Sequence, residues 1–392
     1  MNARESKGMA IAKESKIIQA VGGYIVPSQS SNKNYIVHGE SCTCLDHESR
    51  GMKCKHVFAV EYYLQKITTE NGQVKVETKR LTYPQAWSAY NKSQETEKER
   101  FLELLYDLVQ NVPEKEYVFG RPLVSEKDLL FASVLKVYTG FSLRRFMSDL
   151  RECEKKGFIS KVPCFASIGH FMQRKEIIPV LQKLISLSAM PLHSVESKFA
   201  VDSSGFRTTR FNEYAKQKHG TKKHHEWLKA HICTGTKTNI IASVEITGEN
   251  GGDSPQLIPL TQKIVDNGFN VLELSADKAY SSKANLEYVD ELGAVPYIPF
   301  RQGTSGKLRG GKFIWRKMWL YFQYHQEQFL QHYHARSNVE TTFHMIKSKF
   351  GDALKAKSRV AQVNELLSKI LCHNVVVVIH ETNELGIKAN FV

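Results

Sequence analysis

Apolar positions recur along this chain with two different periods. From Thr96 to about Ala189 they fall three and four apart, the spacing of a helix face. Phe101, Leu104, Leu105 and Leu108 form one such stripe, and Leu129, Leu130, Val134 and Val137 form another. Ser142 stands where an N-cap would open a helix through Leu143, Phe146, Met147 and Leu150. Gly157 and Pro163 then punctuate the chain before Ile168–Phe171 and a longer helical run around Ile177–Ile185. From Lys198 onward short continuous apolar runs take over, at Lys198–Val201, Leu228–Cys233, Ile240–Ile246, Val271–Leu274 and Val295–Ile298. Helical runs at Gln256–Asn267 and Ser282–Leu292 lie among the last of them. Three consecutive strands, then helix, strand, helix, strand, predict an α/β domain: a mixed sheet with helices on its faces. A last helix near Val363–Leu371 runs into the apolar Val375–Ile379.

The amino-terminal part reads differently. Its first residues are polar and charged and predict a frayed end. Two β-type runs, Tyr24–Val26 and Tyr35–Val37, flank a Pro/Ser/Asn turn, and Val57–Gln65 looks helical. These patterns divide the chain into a small module at 1–70, a linker at 71–95, a helical domain at 96–192 and the α/β domain at 193–392. Within the helical domain, Arg144, Arg145, Lys155, Lys156 and Lys161 lie between short helices, as in a helix-turn-helix unit or a packing domain with a solvated basic face.

Composition narrows the partner. The chain has 392 residues and a formal net charge of +14, a balance that favours a polyanion, because clustered cations gain by releasing its condensed counterions. Arg301, Lys307, Arg309, Lys312, Arg316 and Lys317 form an acid-free stretch interleaved with Phe313, Trp315, Trp319, Tyr321, Phe322 and Tyr324. That mixture suits base stacking and backbone tracking. A second basic block holds Arg207, Arg210, Lys216, Lys218, Lys222 and Lys223, with His224 and His225 beside it in what reads as a solvated, DNA-facing loop. No apolar run of membrane-spanning length and no secretory leader is read, so a cytoplasmic protein without a membrane partner is expected. No Gly-rich phosphate loop points to ATP.

Seven cysteines, an odd number, argue against a disulfide scaffold. Three of them cluster as Cys42-x-Cys44-x9-Cys54-x-His56, the donor complement of a closed tetrahedral Zn²⁺ site. The pattern resembles the SWIM zinc finger, C-x-C-xn-C-x-H, and implies one structural zinc and a module that binds DNA or protein. His47 breaks the pairing and reads as a bystander.

Three acidic residues stand where phosphoryl-transfer chemistry would want them. Asp202 follows Phe199-Ala200-Val201 and Asp277 follows Val271–Ala276, each at the end of an apolar strand. Glu340 lies in a helical signature with Tyr333, Arg336 and Lys347, whose offsets fall within roughly 60° of one another on a helix. Carboxylates at two strand ends and on a packed helix can meet around a pair of divalent cations.

The segment 197–375 resembles the DDE transposases of bacterial and archaeal insertion sequences. Tyr333, Arg336, Glu340 and Lys347 match the Y-x2-R-x3-E-x6-K signature of one large group at every position, and Ala276–Ser282 is similar to the second-aspartate motif. Val201-Asp202-Ser203-Ser204 matches the first motif in part. The resemblance implies an RNase H-like fold and dependence on Mg²⁺ or Mn²⁺, with two ions per site held by Asp202, Asp277 and Glu340. It further implies double-stranded DNA as partner, at terminal inverted repeats and at a target, bound by a homodimer. Tyr333, Arg336, Lys347, Tyr280, Arg316 and Lys317 would contact that DNA, and the interval at about 300–332 would be an insertion, often β-rich in that family. A catalytically idle DNA-binding descendant and a stand-alone Mg²⁺ nuclease are the competing expectations.

Overall fold

The computed structural model describes residues 3–14, 17–20, 23–28, 34–64, 68–70, 73–75, 86–114, 119, 124–208, 227–306, 313–389 and 391. The chain divides into two compact units, 1–85 and 86–392.

In the first unit an antiparallel sheet, β1 (Ile18–Ala20), β2 (Gly23–Pro27), β3 (Asn34–His38) and β4 (Ser41–Cys42), runs in sequence order with Ile25 opposite Ile36. Helix α1 (Ala3–Glu14) packs against α3 (Lys55–Leu64), with the short α2 (Leu45–Arg50) between β4 and α3. The ordered α1 corrects the expectation of a frayed start. Ile11 is fully buried in a small core with Val26, Val37, Val57 and Ala59. Gly8 allows the close crossing of α1 and α3, since a Cβ there would stand 2.5 Å from Phe58 Cβ. A strand pair, β5 (Thr68–Glu70) and β6 (Gln73–Lys75), follows.

The second unit opens with α4 (Trp87–Gln110), which starts inside the stretch expected to be a linker. Its first turns are held in place: Gln94 Nε2 and His380 Nε2 are 3.1 Å apart, and Asn383 Nδ2 donates to Ser93 Oγ. Then come α5 (Glu126–Thr139), α6 (Leu143–Lys155), α7 (Phe165–Phe171) and α8 (Ile177–Ala189). The predicted stripes are the buried faces of α4 and α5.

Next is a five-stranded sheet of β7 (Lys198–Arg207), β8 (Trp227–Gly235), β9 (Ile241–Gly248), β10 (Glu273–Ala276) and β11 (Val295–Tyr297), in the order β11-β10-β7-β8-β9. β7, β8 and β9 are antiparallel neighbours, while β10 runs parallel to β7 and β11 parallel to β10. Helix α9 (Leu257–Asp266) joins β9 to β10, and α10 (Lys283–Glu291) joins β10 to β11. β7 is central, and its Phe199, Ala200 and Val201 are fully buried, as expected for a strand covered on both faces. This is the mixed sheet with flanking helices that the periodicity anticipates, and it is consistent with the RNase H-like fold that the resemblance implies.

After β11 the chain forms α11 (Ile314–Tyr324), α12 (Gln326–Tyr333), α13 (Ser337–Phe350) and α14 (Arg359–Glu384). Among the described residues of 300–332 there is no strand, so the expected β-rich insertion is helical here. Trp315 and Trp319 turn inward, their indole N–H groups donating to Ser305 O at 3.2 Å and Thr304 O at 3.0 Å.

Helix α14 explains why the helices and the sheet share one hydrophobic core rather than parting near residue 192. It packs against α4, α5 and α8 and also touches β8 and β9. Asn374 accepts from Ile241 N and donates to Ile241 O, so this buried amide caps the backbone of the edge strand β9. By length and composition α14 alone among the described helices could cross a membrane, yet 89% of its apolar window is buried in this core.

Candidate active site and zinc centre

The sheet register places two of the three carboxylates. Val201 on β7 pairs with Ala276 on β10, so Asp202 and Asp277 are the next residues on neighbouring parallel strands. Such strands lie about 4.8 Å apart. Asp202 Oδ1 accepts from Ser203 N at 2.8 Å. Asp277 leaves its strand and caps a 3₁₀ turn, Lys278–Tyr280, its Oδ1 accepting from Lys278 N at 2.6 Å. Arg301 supports this turn by donating to Lys278 O and Ala279 O.

Glu340 comes from the other side. The expected single helix face is broken: α12 ends at Tyr333, a 3₁₀ turn covers His334–Arg336, and α13 begins at Ser337. The break swings Arg336 under the sheet. Its Nη2 stands 3.6 Å from Asp202 Oδ2, while Nη1 donates to Glu340 Oε1 at 2.7 Å. Arg336 is largely covered at 15% side-chain exposure, whereas Glu340 is 63% exposed. Tyr333 is partly covered beside it, with the guanidinium carbon 6.0 Å from the ring centroid. Farther along, Lys347 Nζ donates to Ser204 Oγ at 2.7 Å and lies over the Phe206 ring. Helix α13 thus tracks β7, with Arg336 against Asp202 and Lys347 against Ser204 and Phe206. Lys349 fastens the helix to the helical layer by donating to Glu97 Oε2, which Glu97 shares with Tyr138 through its other oxygen.

Burial raises the pKa of Asp202 above the ordinary carboxylate range. The Ser203 N–H and the Arg336 guanidinium oppose the shift, and Asp277 and Glu340 add to it.

Not every expected contact residue lies on the surface. Tyr280 is 1% exposed, and its hydroxyl has no hydrogen-bond partner among the described residues. It is packed beneath the aspartates and is withdrawn as a DNA contact, because the short turn after Asp277 points it into the core. Arg316 and Lys317 are exposed on α11 and form no ion pair among the described residues. Arg210, Lys216, Lys218, Lys222, Lys223, His224, His225, Lys307, Arg309 and Lys312 lie outside the described residues.

Sequence reasoning missed Asp253. It follows β9 in a Gly-Gly-Asp-Ser-Pro segment that reads as a simple turn, yet its Oδ1 accepts from Ser203 Oγ at 2.8 Å and pairs with Lys229 Nζ at 2.6 Å. No spacing signal links residue 253 to residue 203; only the sheet does.

In the first unit, one ligand atom from each of Cys42, Cys44, Cys54 and His56 lies within 4.8 Å of the others, and all four residues are buried. His56 Nδ1 is 3.8 Å from both Cys42 Sγ and Cys54 Sγ, so this nitrogen faces the thiols. The Tyr35 ring covers the imidazole at a centroid distance of 4.5 Å. A hydrogen bond from Cys42, followed by one from His56, draws the Cys54 pKa down to about 3, so the cluster already favours a thiolate. The donor set and its spacing fit one tetrahedral Zn²⁺. His47 instead turns to Met52 O at 3.0 Å, outside the cluster.

Residues 193–375 match the transposase DDE domain. The matched span begins just before β7, ends within α14 and contains Asp202, Asp277 and Glu340. It supports a DDE transposase, and DDE domains work with divalent metal ions. No solved structure matches the chain. Within the matched span, Asp277 lies just past the end of β10, but Asp202 sits midway along β7 rather than at its end as expected, because the strand continues to Arg207 in its pairing with β8.

Proposed function

We propose that this protein is an insertion-sequence transposase that cleaves DNA at the ends of its element and joins the freed ends to target DNA. What supports this reading is that Asp202 and Asp277 follow paired residues on neighbouring parallel strands, and that Arg336 bridges Asp202 and Glu340. Asp202 offers carboxylate oxygens from the middle of β7, Asp277 from just past the end of the neighbouring β10, and Glu340 from an exposed helical turn. Together these residues would hold two Mg²⁺ or Mn²⁺ ions. When bound, such ions activate the attacking oxygen and neutralise the leaving one.

The protein's own groups supply the rest. Arg336 balances the negative cluster and is set to take a backbone phosphate beside the cleavage point. Lys347, held by Ser204, is set to take a second, and Tyr333 presents its phenol to the same edge. Water would first break the phosphodiester at the element end, and the resulting 3′-OH would then attack the target strand at the same carboxylates. Arg316 and Lys317, with the exposed cations of α6, extend the surface for double-stranded DNA, which a homodimer would bind at two inverted repeats. The Cys42–His56 cluster supports a SWIM-type finger holding one structural zinc. A cytoplasmic, nucleoid-associated protein fits this activity.

The test uses labelled element-end DNA with Mg²⁺, scored in parallel for binding and nicking. Glu340→Gln keeps the side chain's size and loses the charge, so nicking should disappear while binding stays near wild type. Wild-type nicking by that variant would overturn the assignment.

A further inference from the structure

The loop between β9 and α9 touches both aspartate-bearing segments. On one side Asp253 Oδ1 accepts from Ser203 Oγ at 2.8 Å, and the backbone N–H of that same serine fixes Asp202 Oδ1 at 2.8 Å. Lys229 Nζ on β8, at 2.6 Å, holds the Asp253 carboxylate in place. On the other side is Asn285 of α10, which is 3% exposed. Its Nδ2 donates to Ser254 O at 3.0 Å and Ser254 Oγ at 3.1 Å, and to Tyr280 O at 2.8 Å. Tyr280 is the last residue of the 3₁₀ turn that Asp277 caps. One short loop is therefore bolted to the residue after Asp202 and to the turn that begins at Asp277.

We infer that Asp253 and Asn285 are positioning residues that fix the separation of Asp202 and Asp277, and so the affinity of the site for divalent cations. The inference rests on the proposed metal-dependent chemistry. Strand pairing sets where the two Cα atoms lie, but each carboxylate keeps its own side-chain rotational freedom. Cation binding needs bridging oxygens held to a few tenths of an ångström, which is why groups behind the ligands commonly tune affinity by about 10–100-fold. Here the restraint on Asp202 runs through the Ser203 backbone, and Asp253 locks that serine's side chain. The restraint on Asp277 runs through the turn that Asn285 grips. The Asp253 side chain is 24% exposed, and the Asn285 amide bonds two loop carbonyls and one hydroxyl.

The experiment measures Mn²⁺ binding to the full chain by electron paramagnetic resonance, alongside cleavage kinetics and thermal unfolding. The variants are Ser203→Ala, Asp253→Ala, Asp253→Asn and Asn285→Ala, with Asp277→Asn as control. Asp253→Ala and Asn285→Ala should each weaken Mn²⁺ about tenfold or more. They should lower kcat at sub-saturating metal and leave KM for DNA unchanged, with activity returning as Mn²⁺ rises. Asp253→Asn, which keeps an oxygen for Ser203, should fall between them and wild type. Ser203→Ala removes only the linking hydroxyl and supplies the answer if Asp253→Ala does not fold. Wild-type Mn²⁺ affinity in folded Ser203→Ala and Asn285→Ala, beside a loss in Asp277→Asn, would overturn the inference alone. Wild-type affinity in Asp277→Asn as well would overturn the cation site itself.

Discussion

Arg336 Nη2 stands 3.6 Å from Asp202 Oδ2, joining the turn before α13 to the central strand β7 across 134 positions of sequence. The same guanidinium holds Glu340, so one cation offsets part of the charge of the acidic cluster. Removing it exposes that charge. In Arg336→Ala, the pull that lowers the Asp202 pKa is lost, so this carboxyl should hold its proton to higher pH. The acid limb of the cleavage rate should move upward in pH. A pH–rate profile checks it, and an unmoved limb would separate Arg336 from Asp202.

Asp202→Asn should abolish cleavage yet leave the metal-free protein at least as stable at neutral pH. The folded pKa of Asp202 is raised, chiefly by burial, so the folded state binds its proton more tightly than the unfolded chain. The associated stability is present below the unfolded value, about 3.9, and is lost as pH rises through the folded one. Thermal unfolding in chelator at neutral pH, compared with acid, should show the variant's advantage vanish at low pH.

Lys347→Ala should weaken binding to element ends and flatten its salt dependence by about one phosphate contact. The side chain is held by Ser204 and lies over Phe206, so a modest loss of stability should accompany the change. Titrations over a range of salt concentrations measure the slope, and an unchanged slope would remove Lys347 from the DNA contacts.

Zinc should be required by the first unit and not by the second. Its core is small, and the four donors lie inside it. Chelation or Cys42→Ser should release one zinc per chain and open residues 1–85 to hydrogen exchange. Protection in the sheet of the second unit should remain. Zinc content unchanged in Cys42→Ser would count against the site.

Lys369 gives a second pH signal. Its side chain is 3% exposed, and its ammonium donates to Gly351 O and Ala353 O. Burial lowers its pKa to about 8, against the pull of Glu365. Between about 8 and the unfolded value of roughly 10.4, the unfolded chain binds more protons, so stability should rise with pH across that window, by at most about 3 kcal/mol. Urea midpoints at the two ends of the window should differ in wild type and converge in Lys369→Gln.

Local pattern carried much of this protein. The continuous apolar runs mark β8 to β11 within a few residues, because a strand buried on both faces leaves few polar positions, whereas the polar second half of β7 does not read as strand. The Cys-x-Cys and Cys-x-His pairs are legible because a closed tetrahedral site needs its donors close in sequence. The order of Asp202, Asp277 and Glu340 is legible because each stands beside a local apolar pattern, although β7 runs on to Arg207 and leaves Asp202 in mid-strand. The sequence sets the cysteine-bearing module apart, but it also reads the helices of 96–192 as a separate domain, which here lie in one unit with the sheet.

What the tertiary structure alone decided depends on contacts between distant residues. The break at Tyr333–Ser337 carries Arg336 to Asp202, although a regular helix would place the signature residues equally well on one face. Tyr280 is aromatic, beside an aspartate and near cations in the sequence, yet the direction of the turn buries it. Helix α14 gathers α4, α5 and α8 onto the sheet, so the helical segment shares a core that its own stripes could not reveal. Asp253 meets Ser203 across 50 residues only because β7, β8 and β9 pair side by side. Periodicity specifies which face of an element is apolar; which partner that face meets is fixed by how the elements pack.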